Sequence, residues 1–177
     1  KTYRCAVGRG VFSSDKKEGD GCTPLGVFPL RECWYRADRM AAPATKLPLK
    51  VIHENDGWCD DPKSAEYNRH IILPPPERGR AGWGSASGEM TPSLILPLSG
   101  GGRFSCERLW RDDHAYDLIV PIGYNDAPPV AGKGSAIFLH LAHGDWRPTE
   151  GCIALAKPDL LAILPGIHKD TMIEIKE

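Results

Sequence analysis

The segment from Gly134 to Ala156, GSAIFLHLAHGDWRPTEGCIALA, carries an apolar run ending near His140, just upstream of a Gly151-Cys152 step that opens a second apolar run. Both runs read as strands, so an imidazole and a thiol stand on two strand-borne edges. A thiol needs a neighbouring base or cation to become a thiolate near neutral pH, and a strand gives that base a rigid anchor. Cys152 is therefore the thiol expected to show enhanced alkylation, with His140 as its base. Spacing alone equally allows a buried histidine beside an unrelated buried cysteine. A zinc site from His140, His143 and Cys152 fits poorly, because strand residues three apart face opposite ways and no fourth ligand stands nearby. No metal and no cofactor are expected.

The elements that must position this pair are short. Prolines (16) and glycines (19) divide the chain into pieces rich in valine, isoleucine, leucine and aromatics, which predicts a mainly β fold. Strands are expected over Thr2–Val7, Val27–Tyr35, Leu49–His53, Arg69–Leu73, Tyr116–Ile122, Ala136–Ala142, Cys152–Leu155 and Thr171–Lys176. One helix is expected, with Pro158 at its start, Asp159 at the positive end of its dipole, Leu160, Leu161, Ile163 and Leu164 buried, and Pro165-Gly166 at its end. The stretch over residues 74–105 is rich in glycine, serine and proline and reads as a long surface excursion, in which Trp83 and Met90 are candidates for a substrate wall. Asp56-Gly57-Trp58-Cys59-Asp60-Asp61-Pro62 reads as a turn with an Asp cap rather than a calcium loop.

With 177 residues the chain is expected to form one domain. Its net charge of -1 leaves no electrostatic footprint for nucleic acid or an anionic membrane, and no apolar run approaches a membrane span. The opening at Lys1 reads as a processed or trimmed product. Six cysteines, Cys5, Cys22, Cys33, Cys59, Cys106 and Cys152, match no metal-binding spacing. Disulfides among Cys22, Cys33, Cys59 and Cys106 would suit an oxidising compartment, with no pairing singled out.

Thr149-Glu150-Gly151-Cys152-Ile153, following the strand that ends in His140, resembles the active-site signature of the YkuD-type L,D-transpeptidases, which build peptidoglycan crosslinks. Thr23-Pro24-Leu25-Gly26-Val27-Phe28 resembles the TPxGxF stretch of the same family and lies upstream, in the family's order. The likeness spans most of the chain and is closest to a proteobacterial branch. It implies a β-sandwich or barrel catalytic domain with one or a few short helices, and a periplasmic location. Cys152 would be the nucleophile and His140 its base, oriented by the Leu141 carbonyl. The main-chain N–H groups of Cys152, Gly151 and Glu150 would form an oxyanion hole. Implied partners are peptidoglycan stem peptides as donor and acceptor, with carbapenem-type inhibitors as traps, acting on a monomer.

Usual members have His where this chain has Glu150, and often Arg where it has Ala154. Glu150 is accordingly expected on the acceptor side or paired with Arg147, and Arg147, ahead of Arg108 or Lys157, is expected to bind the donor carboxylate. Tyr124 and Asn125 are expected to shape the pocket. The resemblance implies an L,D-transpeptidase making 3–3 or 1–3 crosslinks. The alternatives are a same-fold cysteine hydrolase, acting as L,D-carboxypeptidase or crosslink-cleaving amidase, and a non-catalytic cell-wall-binding module.

Overall fold

Frequent prolines and glycines keep the elements short, and the strands are held by their neighbours rather than by their own length. A computed structural model describes residues 1–74, 93–97 and 103–177. The first strands are β1 (Cys5–Ala6), β2 (Phe12–Ser13), β3 (Thr23–Pro24), β4 (Gly26–Pro29), β5 (Cys33–Tyr35), β6 (Leu49–Val51) and β7 (Asp56–Cys59). Then come β8 (His70–Ile72), β9 (Ser93–Pro97), β10 (Arg103–Arg108), β11 (Leu118–Pro121), β12 (Phe138–Leu141) and β13 (Ile153–Leu155). Helix α1 (Lys157–Ile163) and β14 (Met172–Ile175) complete the order. No helix among the described residues is long and apolar enough to cross a membrane.

A six-stranded sheet runs β1-β13-β12-β11-β5-β6, and a four-stranded sheet runs β8-β7-β10-β9. Two smaller pairings, β14-β4 and β2-β3, edge them. Strands β11, β12 and β13 are buried along their whole length. That is why their sequences read as continuous apolar runs rather than alternating ones. On one face Leu139, Leu141, Ile153 and Leu155 pack with Leu160 and Leu164. On the other, Phe138 and Cys152 join Trp34, Leu109, Tyr116 and Ile119, with Trp58 of the four-stranded sheet packed against them. Pro158 and Asp159 lie in the first turn of α1, as the sequence predicts; of the four residues expected on its buried side Leu160 and Leu164 are buried and Leu161 and Ile163 only partly so, and a 3-10 turn over Leu164–Gly166 ends it.

Three expectations change. The run expected as one strand over Val27–Tyr35 is two, β4 pairing with β14 and β5 with β11 and β6, because the chain switches sheets between them. The acidic segment at Asp56 is strand β7 as well as a turn: the Asp56 carboxylate accepts from His53 N–H (2.6 Å) and contacts His70 Nε2 (2.7 Å). The excursion expected over 74–105 contains β9 and the first half of β10, which pair antiparallel, so the Leu94–Leu98 run begins within a strand. Trp83 and Met90 lie outside the described residues.

Candidate active site

Strands β12 and β13 pair in parallel, with Leu139 opposite Ile153, His140 opposite Ala154 and Leu141 opposite Leu155. Opposed residues of a ladder point to the same face, so Phe138, His140, Cys152 and Ala154 all project away from the helix. Strand rise and spacing put the His140 and Cys152 backbones about 8 Å apart. Both side chains are almost fully buried, 5% exposed for His140 and 7% for Cys152.

The Cys152 thiol is stitched to the neighbouring chain. Its Sγ accepts from Phe138 N–H at 3.3 Å and donates to the Ala136 carbonyl at 3.2 Å. Burial, with the Glu107 carboxylate adding to it, pushes the thiol up to about 12, while the Phe138 N–H and Lys16 pull the other way. The imidazole donates Nδ1–H to the Leu141 carbonyl at 2.9 Å, which leaves the Nε2 lone pair free to take a proton. Burial holds His140 down to about 4 against that same hydrogen bond. Burial therefore favours the uncharged form of both groups, a neutral thiol and a neutral imidazole.

The turn before the thiol requires glycine. Gly151 has φ +134°, and a Cβ there would come within 2.7 Å of the Cys22 carbonyl oxygen. Its N–H donates to Thr149 Oγ1 at 3.2 Å, and that hydroxyl donates to the Cys152 carbonyl at 2.6 Å. The expected oxyanion role of Gly151 therefore requires release of the Thr149 contact. Thr23 of the TPLGVF stretch accepts from Gly8 N–H at 2.8 Å, and the Gly8 segment bridges to Thr149.

Glu150 pairs with Arg9 Nε at 2.9 Å to both carboxylate oxygens, not with Arg147. Arg147 instead donates to the His143 ring at 3.0 and 3.2 Å. The long-range approach of the Arg9 loop decides this, against the chain proximity that favoured Arg147. Tyr124 donates its hydroxyl to the Lys133 carbonyl (2.5 Å), and Asn125 holds Val130 and Gly134, so their polar groups brace one loop. Of the other carboxylate-binding candidates, Arg108 lies on β10 and Lys157 lines a cavity of about 350 Å³ with Leu141, His143 and Asp113. A second cavity, about 320 Å³, is lined by Trp58, Asn68, His70, Ile137 and Phe138. The two cavities meet β12 at its opposite ends.

Three groups escape sequence reasoning. Buried Asn68 accepts from Trp58 Nε1–H (2.9 Å) and Ala136 N–H (3.0 Å), and donates to the Tyr124 (3.0 Å) and Asn125 (2.7 Å) carbonyls. It thereby holds Ala136, whose φ is +51°, where its carbonyl meets the thiol. Lys16 is buried, paired with Asp20 at 2.8 Å, and its ammonium would lie 3.2 Å from a Cβ on Gly151. Buried Glu107 accepts from the Tyr116 hydroxyl, and the Tyr116 ring meets His140 edge-on at 5.3 Å. Burial lifts the Glu107 carboxyl to about 7.

Comparison with family models matches residues 1–175 to the L,D-transpeptidase catalytic domain, YkuD. Neither the curated proteins nor the solved structures contain a match.

Replacing Asn68 by Gly, which keeps its φ of +55° at no steric cost, strands the buried Ala136 N–H and three part-buried groups of Trp58, Tyr124 and Asn125. We expect a loss of about 3 kcal/mol or more in urea unfolding; a loss under about 0.5 kcal/mol would contradict the bracing role.

The buried acid and imidazole oppose each other in pH dependence. His140 takes a proton near 6.5 when unfolded and about 4 when folded, so stability falls as pH drops through that window, by about 3 kcal/mol. Glu107 takes one near 4.5 unfolded and about 7 folded, so its contribution is lost as pH rises. The two slopes nearly cancel between about pH 4.5 and 6.5. Glu107→Gln is expected to expose the His140 slope, making stability fall more steeply than in wild type as pH drops through this window; parallel curves would count against the assignment.

Proposed function

Because the chain belongs to the YkuD family of L,D-transpeptidase catalytic domains, we propose that it transfers an acyl group from a peptidoglycan stem peptide, through a Cys152 thioester, to an amine acceptor. The observation that carries this reading is the shared buried face of Cys152 and His140, with the imidazole held so that only Nε2 can accept a proton. The family's setting outside the cytoplasm and the 3–3 or 1–3 crosslink products belong to the same proposal.

As sulfur attacks the donor carbonyl, the thiol proton passes to Nε2 of His140, so the ion pair arises during the reaction. The tetrahedral oxyanion is received by the main-chain N–H groups of Cys152, Gly151 and Glu150, with the Lys16 ammonium as a fixed nearby charge. Collapse expels the amine fragment, which takes the proton from the imidazolium. An acceptor amine then attacks the thioester, His140 removes its proton, and the thiolate leaves and is reprotonated. One amide is broken and one formed. The apolar wall of Trp58 and Phe138, packed with Cys152 on one face, favours an amine over water.

Muropeptide mass spectrometry with defined tetrapeptide and pentapeptide donors tests the reading. Crosslinked dimers are expected. Hydrolysed monomers alone would mean a hydrolase of the same fold, and no turnover with an unmodified thiol would mean a wall-binding module. His140→Gln is expected to slow Cys152 acylation by a carbapenem at least about a hundredfold, with His143→Ala far milder; the reverse order in folded variants would move the base to His143. Lys16→Met, combined with Asp20→Asn so that no carboxylate is stranded, is expected to slow acylation about tenfold or more. An unchanged rate would remove Lys16 from the chemistry.

A further inference from the structure

We propose that Cys59 and Cys106 form a cross-strand disulfide that locks the register of β7 against β10. The two residues stand directly opposite each other in the antiparallel ladder, and both are fully buried. Their pair is of the kind that lacks main-chain hydrogen bonds across the strands. Cys59 spends its N–H on the Arg69 carbonyl (2.9 Å) and its carbonyl on Asn68 N–H (2.8 Å), both toward β8. Toward β10, the bonded positions are Asp60 with Ser105 (3.4 Å) and Asp56 with Leu109 (3.0 Å). Alternation from either one makes the Cys59/Cys106 position non-bonded. Such pairs bring Cα atoms to about 4.5 Å, within the roughly 4.4–6.8 Å that a disulfide spans.

The other cysteines have no such partner: Cys5 faces Leu155 and Cys33 faces Leu49 in their ladders, the Cys22 thiol donates to the Gly10 carbonyl at 3.2 Å, and the Cys152 thiol is engaged with Ala136 and Phe138. Burial, with Cys59 among the further causes, raises the Cys106 thiol to about 12. The finished strand pair is therefore slow to exchange, and the bond forms while β7 and β10 are still open during folding. Each thiol loses a proton, the pair loses two electrons, and the S–S bond forms as an incoming small-molecule or protein disulfide is reduced to two thiols.

What the bond secures lies on the opposite face of the same two strands. The neighbouring register pair is Trp58 with Glu107. Trp58 packs edge-on against Phe138 at 5.1 Å, and Glu107 holds the Tyr116 hydroxyl beside His140. A slip of one residue would turn both side chains away from the site. A covalent bond one position along forbids that slip.

The test refolds the chain in a buffer of reduced and oxidised glutathione, labels free thiols in denaturant, and maps peptides without reduction. The expected result is one crosslink, Cys59 to Cys106, with Cys5, Cys22, Cys33 and Cys152 all labelled. The oxidised chain should melt roughly 10 °C above the reduced one. Six labelled cysteines, or a crosslink joining any other pair, would overturn the proposal. The double variant Cys59→Ala with Cys106→Ala should have a melting temperature that does not respond to oxidised glutathione; a response as large as that of wild type would place the lock elsewhere and equally overturn it.

Discussion

The parallel ladder between β12 and β13 puts His140, Phe138 and Cys152 on one face and sends Leu139, Leu141, Ile153 and Leu155 to the other. The proposed chemistry depends on that register. A shift by one residue would drive the imidazole into the core beneath α1 and bring leucine to the site. Both strands are buried on both faces, and β11 pairs along the far edge of β12 with Ile119 opposite His140, so the register has little freedom. The thiol adds its own restraint by joining β13 to the Ala136 and Phe138 backbone.

Burial explains the protonation of the resting site. In a dry environment a separated thiolate and imidazolium must each give up hydration, so the neutral pair is favoured. The surrounding charges are held in pairs, with Lys16 on Asp20 and Arg111 on Asp113, which leaves the Cys152 and His140 face largely apolar. The same dryness is what the proposed transfer to an amine requires, because it limits competition from water.

The central strands and α1 were legible because burial on both faces writes itself as unbroken apolar runs, and because Pro158 and Asp159 mark a helix start. The Cys152 and His140 pair was legible for the same reason, since both stand on those runs. Strand β7 was obscured by its Asp-Gly opening, and β9 with β10 by the glycine and serine around them. Asn68, Lys16 and Glu107 carry no periodic signal. They reach the site through contacts between segments far apart in the chain, as does Arg9, which displaced Arg147 as the partner of Glu150. Local spacing carries no information about such approaches.

The proposed chemistry requires Cys152 and His140 to rest as an uncharged pair whose proton moves only in the reaction. Nitrogen-15 NMR of the histidine side chains, with His140→Gln used to assign the resonance, reads that state directly. The expected spectrum at pH 7 is a neutral His140 imidazole protonated on Nδ1, taking up its second proton only near pH 4. An imidazolium signal from His140 in the unliganded protein at pH 7 would contradict the account, because it would mean that the thiolate already exists before substrate arrives.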